Sequence, residues 1–249
     1  MKILALIPAR MGSSRFPGKP MAQILGMPMI GHVYKRVVKS ELLSLTAVAT
    51  CDQEIYDYIE SIGGTAVMTA DTYERASDRC AEALLKLEKD NNIKYDIVVM
   101  VQGDEPMTHP DMIEEAVKPM LEDSSIQVTN LLGQIKSAFE FEDRNCIKVV
   151  CDLNGNAMYF SREPIPTRSK VSKVPMGKQV CVIPFRRDYL IEYTKLKPTP
   201  LEIIESVDMM RIIEHGMKVR MVPTIYDTQA VDTPQDLQRV ERLIKDMKD

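Results

Sequence analysis

The sequence predicts an α/β protein built on a doubly wound, mostly parallel sheet. Three observations carry that expectation. Apolar runs of strand length occur at residues 3–7, 45–50 and 96–101. Segments of helical period separate them. The run at 96–101, DIVVMV, is continuous rather than alternating, as a strand covered on both faces requires. Strands alternating with helices at this spacing make βαβ units.

Taken in order, residues 28–38 place Met29, Ile30, Val33 and Val37 on one helical face. Residues 45–50, LTAVAT, form the second strand. A helix over 52–62 starts at an acidic cap, Asp52, and stops at Gly63-Gly64. Residues 66–69 make a short strand, and 77–89 an amphipathic helix opened by Ser77 and Asp78. Another helix spans 110–121. The pattern then changes. Residues 146–151 and 157–160 flank Asn154-Gly155 as a β-hairpin with a tight turn. Residues 164–177 hold three prolines and three cations with little periodicity, which predicts a projecting arm. A strand over 178–185, a helix over 201–213, a strand over 219–223 and a helix over 234–247 complete the chain. We expect a single domain over residues 1–249, with hairpin and arm at about 146–186.

Composition narrows the function. The 249 residues are 45% hydrophobic and 27% charged, ample for a substantial core. A net charge of −4 gives no bulk attraction for nucleic acid. Cys51, Cys80, Cys146, Cys151 and Cys181 are odd in number with no C-x-x-C pair, as expected of free thiols in a reducing cytoplasm. His32, His109 and His215 lack metal-ligand spacing. No signal peptide and no membrane span are expected.

Against this mildly acidic background, residues 7–20, IPARMGSSRFPGKP, stand out. Gly12, Ser13, Ser14 and Gly18 are interleaved with Arg10, Arg15 and Lys19 directly after the first strand. Small residues let backbone N–H groups approach an anion, and three cations in ten residues suit a polyphosphate. A solvated turn would have the same composition. The glycine spacing fits neither a Walker A loop nor a dinucleotide fingerprint. Gln102-Gly103-Asp104-Glu105-Pro106 follows the continuous apolar strand, at the end where parallel sheets bind ligands. Asp104 there is either a Mg²⁺ ligand or the cap of a turn. Asp232, in Val231-Asp232-Thr233-Pro234, is either a second metal carboxylate or part of a helix start. Ser77 reads as a helix cap, and Arg79 either reaches a ligand or is solvated. Arg162 ends the hairpin behind Tyr159, Phe160 and Ser161.

Four ordered motifs, P-A-R-x-G-S-S-R-F-P-G-K-P, V-Q-G-D-E-P, A-x-Y-F-S-R and V-D-T-P-x-D-L, run through this chain. In these the sequence resembles the CMP-KDO synthetases, the 3-deoxy-manno-octulosonate cytidylyltransferases, over essentially its whole length. The resemblance implies a three-layer, nucleotide-diphospho-sugar-transferase-like fold with a protruding arm for dimerisation. It implies that Ala9, Arg10, Gly12, Ser13, Arg15 and Lys19 bind CTP, with Ser77 and Arg79 near the nucleotide. Asp104 and Asp232 would hold Mg²⁺, and Gln102 would lie beside both substrates. Arg10, Lys19, Asp104 and Asp232 would be the catalytic set. The partners implied are CTP, a small acidic sugar-like acceptor and a second copy of the chain, in the cytoplasm. Arg162, Gln179, Ile183, Asp208 and Met209 fall on the acceptor side. There the sequence departs from the family pattern: Gln179 stands for a His, Ile183 for a Tyr and Met209 for a Gln, while residues 75–79 read R-A-S-D-R instead of S-G-T-E-R. The resemblance therefore fixes the donor more firmly than the acceptor, which is either KDO, a modified ulosonic acid or another acid.

Overall fold

The computed structural model describes residues 1–12, 15–167 and 176–246. The chain divides into two compact units, Met1–Glu114 with Asp227–Asp249, and Glu115–Tyr226.

The first unit opens with β1 (Ile3–Ala9), β2 (Gln23–Ile24), β3 (Met27–Pro28) and α1 (Met29–Val37). It continues through β4 (Leu45–Thr50), α2 (Gln53–Ser61), β5 (Ala66–Met68), α3 (Ala76–Asn91) and β6 (Ile97–Val101). Within this unit the strands lie in the order β6-β1-β4-β5, and every neighbouring pair is parallel. The register sets Leu4 beside Leu45 and Ile3 beside Ile97. All five β6 residues are buried, as its unbroken apolar run requires. The order has a functional consequence. The chain steps outward from β1 to β4 and β5, then returns to the other side of β1 as β6. The winding direction therefore reverses between β1 and β6, and ligands bind beyond the carboxyl ends of strands at such a reversal.

The helix α4 (Pro110–Glu122) contains the boundary between the units. The second unit then runs through β7 (Thr129–Gln134), α5 (Ala138–Glu142), β8 (Lys148–Cys151), β9 (Ala157–Ser161), β10 (Gly177–Val180), β11 (Val182–Arg186), α6 (Arg187–Lys195), α7 (Pro200–Glu205), α8 (Met209–Glu214) and β12 (Arg220–Pro223). A five-stranded sheet takes the order β12-β7-β10-β8-β9, parallel only between β12 and β7. The predicted hairpin is β8–β9. Its turn is held by Asp152, whose Oδ1 accepts from the Asn154 and Asn156 amides, with Gly155 at a φ of 78°. Lys148 is fully buried, and its ammonium donates to the carbonyls of Asp143, Cys146 and Arg162. A closing helix, α9 (Pro234–Asp246), returns to the first unit.

Several elements differ from expectation. Residues 178–185 are two strands broken at Cys181. The helix expected over 201–213 is two, because Ser206 adopts a left-handed φ of 51°. Buried charge welds these pieces. Arg211, 1% exposed, grips the Glu202 carboxylate through Nε (2.6 Å) and Nη2 (2.5 Å), and donates from Nη1 to the Leu196 carbonyl. Asp52 occupies the cap position of α2, and its carbonyl accepts from the Tyr56 amide, but its side chain makes no cap bond to that helix. Ser77 is not a cap either, because α3 begins one residue earlier and Arg75 holds the cap position. All five cysteines are unbridged. Among the described residues no helix is long and apolar enough to cross a membrane. Part of the predicted arm, residues 168–175, lies outside the described residues.

Candidate active site

The described parts of two loops meet at the reversal in the first unit: residues 10–12 and 15–18 after β1, and residues 102–106 after β6. The first is tied through both backbone groups of one residue, Met11. The Met11 amide donates to Asp52 Oδ2 (2.8 Å), and the Met11 carbonyl accepts from the Gly18 amide (3.0 Å). Phe16 packs against a core of Ile24, Met29, Met107, Val231, Val240 and Ile244. The chain then turns at Gly18, with a φ of 72°, into a single 3-10 turn that starts at Lys19.

The second loop approaches the end of β1 closely. A Cβ on Gly103 would stand 2.9 Å from the Pro8 carbonyl oxygen. Glycine is required there by contact with backbone, which has no rotamer with which to yield. The following residue, Asp104, accepts from the Val231 amide through its own carbonyl (3.0 Å). That bond draws the C-terminal segment, and Asp232 with it, over the end of β6.

At the helix start the sequence allowed two roles for Asp232, and the structure gives capping to its neighbours. Thr233 Oγ1 accepts from the Asp236 amide (3.2 Å), while the Asp236 carboxylate accepts from the amides of Asp232 and Thr233. The Asp232 carboxylate faces the first loop instead. Lys19 Nζ donates to Asp104 Oδ2 at 2.7 Å and to Asp232 Oδ1 at 3.4 Å. Arg15 Nη2 lies 3.0 Å from Asp232 Oδ1. Four of the singled-out charges thus converge. Burial and the neighbouring Asp104 raise the Asp232 pKa, against the pull of Lys19 and Arg15. For Lys19, burial works to lower the pKa, but the two carboxylates outweigh it and the pKa rises.

The model for the family described as "Cytidylyltransferase" matches residues 4–219 of this sequence. The chain belongs to the cytidylyltransferase family. It is 41% identical to the 3-deoxy-manno-octulosonate cytidylyltransferase of Geobacter metallireducens, with 96% of each chain covered. It is 42% identical to the enzyme of the same name from Geotalea uraniireducens, covering 98% of this chain and 100% of that one. A solved structure of a CMP:2-keto-3-deoxy-manno-octonic acid synthetase complexed with CTP superposes with a TM-score of 0.90 at 35% identity, over 99% of this chain and 100% of that one. The expected fold, a nucleotide-diphospho-sugar-transferase-like α/β sheet, is thereby borne out.

The remaining candidate residues of this cytidylyltransferase divide by environment. Ala9 is buried at the end of β1, Gln102 is half-buried, and Arg10 and Gly12 are exposed, with open space around Gly12. Ser13 lies outside the described residues. Arg79 is not solvated: it is 2% exposed and donates to Thr69 Oγ1, Ala70 O and Tyr73 O, bracing the loop after β5. Ser77 is fully buried, and its Oγ has no hydrogen-bond partner.

On the acceptor side, Arg162 directs its guanidinium to the carbonyls of Arg144, Glu205 and Ser206, which fixes the end of β9. Asp208 is half-buried, and its carbonyl accepts from the Tyr193 hydroxyl. Ile183 and Met209 require correction. They are 1% and 0% exposed and have no surface to offer an acceptor: Ile183 lies in a run of four buried residues of β11, and Met209 opens α8 among other buried residues. Gln179 keeps polar capacity. Its Nε2 donates to Asn130 Oδ1 at 2.7 Å, while Asn130 Nδ2 donates to the carbonyls of Leu131 and Val180. Asn130 thereby fixes which end of the Gln179 amide is engaged. Sequence reading missed Asn130 and the loop-holding role of Asp52. The second has a signal, an Asp two residues past the end of a parallel strand, but an acid at that place fits a helix cap equally well.

Gly103→Ala tests the close approach. We expect a loss of about 1–3 kcal/mol and a fall in Tm of about 5 °C, with lower turnover as Asp104 moves. An unchanged melting temperature and unchanged turnover would show that the loop has room to shift.

Proposed function

We propose that this protein transfers CMP from CTP to the anomeric hydroxyl of a 3-deoxy-ulosonic acid, KDO or a close relative, for surface polysaccharide synthesis. The observation that carries the reading is the convergence of Arg15, Lys19, Asp104 and Asp232 where the sheet reverses its winding. The relatives' names supply the substrates. In the reaction the acceptor oxygen bonds to the α-phosphorus, the α–β phosphoanhydride breaks, and pyrophosphate leaves with the electron pair. The acceptor proton passes to a base that we do not assign to a side chain. Arg10, Arg15 and Lys19 neutralise the charge that grows on the leaving group. The first loop orients the triphosphate through its backbone amides.

Asp104 and Asp232 would hold Mg²⁺. Two carboxylates close enough to repel one another suit a hard cation that takes its other ligands from phosphate and water. When bound, the ion would polarise the α-phosphate. We further read the enzyme as a cytoplasmic homodimer, on the family resemblance alone.

Pyrophosphate release with CTP, Mg²⁺ and a panel of acids tests the proposal. We expect release with ulosonic acids and with CTP far ahead of the other nucleoside triphosphates. Release only with a nonulosonic acid, a phosphonate or a sugar phosphate would reassign the acceptor. CTP binding without turnover on any acceptor would leave a nucleotide-binding protein.

A further inference from the structure

Lys19 holds a position that its part in the reaction does not explain. A cation that serves only the phosphates would point away from the metal carboxylates. Lys19 Nζ instead donates to both, at 2.7 and 3.4 Å. The side chains of Lys19, Asp104 and Asp232 are only 13%, 21% and 13% exposed. Two half-hidden carboxylates that repel each other cannot remain uncompensated in a site largely closed to water. Arg15 supplies part of the charge, to Asp232, from a side chain that is 50% exposed. Lys19 spans the pair from one ammonium.

We propose that Lys19 is the internal counter-cation of the Asp104–Asp232 pair, so that divalent metal and nucleotide bind as a coupled unit. This rests on the metal reading given above. In the ligand-free chain the ammonium occupies the carboxylates, so a metal must compete with it. An incoming triphosphate offers the ammonium another set of anionic oxygens. Each ligand then removes a cost that the other would otherwise bear, which is a positive and reciprocal coupling. The nucleotide-free enzyme is thereby kept from filling with metal.

The test is Mn²⁺ binding to the full chain without nucleotide, read from the electron paramagnetic resonance of the free ion. Wild type should bind weakly. Lys19→Gln should bind one Mn²⁺ about ten-fold tighter or more while binding CTP less well, and adding Asp104→Asn to it should abolish the gain. Lys19→Met, checked with Lys19→Gln by thermal melting, guards against a folding artefact. No gain in either variant, or a gain that survives Asp104→Asn, overturns the proposal. Wild-type turnover is measured in parallel. If the wild type consumes CTP and the variants gain nothing, the counter-cation role falls and the catalytic reading stands. If the variants gain Mn²⁺ at Asp104 but the wild type consumes no CTP, the counter-cation role holds and the catalytic reading falls.

Discussion

Asp104→Asn is expected to lower kcat/KM for CTP-dependent pyrophosphate release on the order of 100- to 1000-fold, with Tm nearly unchanged. The effect on chemistry is large because the substitution removes one of the two anionic oxygens we assign to the metal and leaves a neutral amide facing Lys19. The effect on stability is small for three reasons. Asp104 is partly exposed, its structural bond to Val231 runs through its main-chain carbonyl, and Lys19 retains Asp232 as a partner. Activity at saturating Mg²⁺, assayed beside a thermal melt, separates the two. Near-normal turnover would show that Asp104 is not a metal ligand. Loss of activity together with a large drop in Tm would show that it is structural.

The converse result is expected in the second unit. Glu202→Ala removes the partner of a guanidinium that is 1% exposed and deprives it of two hydrogen bonds. Leaving such a charge unpaired costs about 3–5 kcal/mol, a fall in Tm on the order of 10 °C for a chain of this size. CTP binding, which we assign to the first unit, should persist in the fraction that remains folded. The Leu196 carbonyl and the Tyr193 ring, whose centroid is 5.8 Å from Arg211, do not compensate for a lost carboxylate. A Tm within a degree or two of wild type would mean that water reaches the guanidinium.

These opposite expectations match what the sequence made legible. The parallel sheet was readable because β1, β4 and β6 are continuous apolar runs whose burial is local to each segment; β4 was placed to the residue. The charged loop and both carboxylates were readable because glycine, cation and acid at strand ends are strong chemical signals. The second unit was less so. Its sheet depends on antiparallel pairings between segments far apart, such as Lys178 with Gly133, and β7 carries polar residues, Thr129 and Asn130, that are satisfied only after folding. The breaks at Cys181 and Ser206 interrupt runs whose hydrophobic period continues across them, so periodicity alone reads through both. The burial of Ile183 and Met209 is likewise a property of packing: each replaces a polar family residue with an apolar one, but only the structure shows those positions turned inward.

The helix start at residues 232–236 has one more consequence. Because Thr233 and Asp236 satisfy the start of α9 themselves, the neighbouring carboxylate has no part in capping that helix. Asp232 can therefore be exchanged without unravelling the segment that delivers it. A chain disarmed at that position alone would retain the scaffold around both substrates, which makes it a means to capture donor and acceptor side by side before any bond has changed hands.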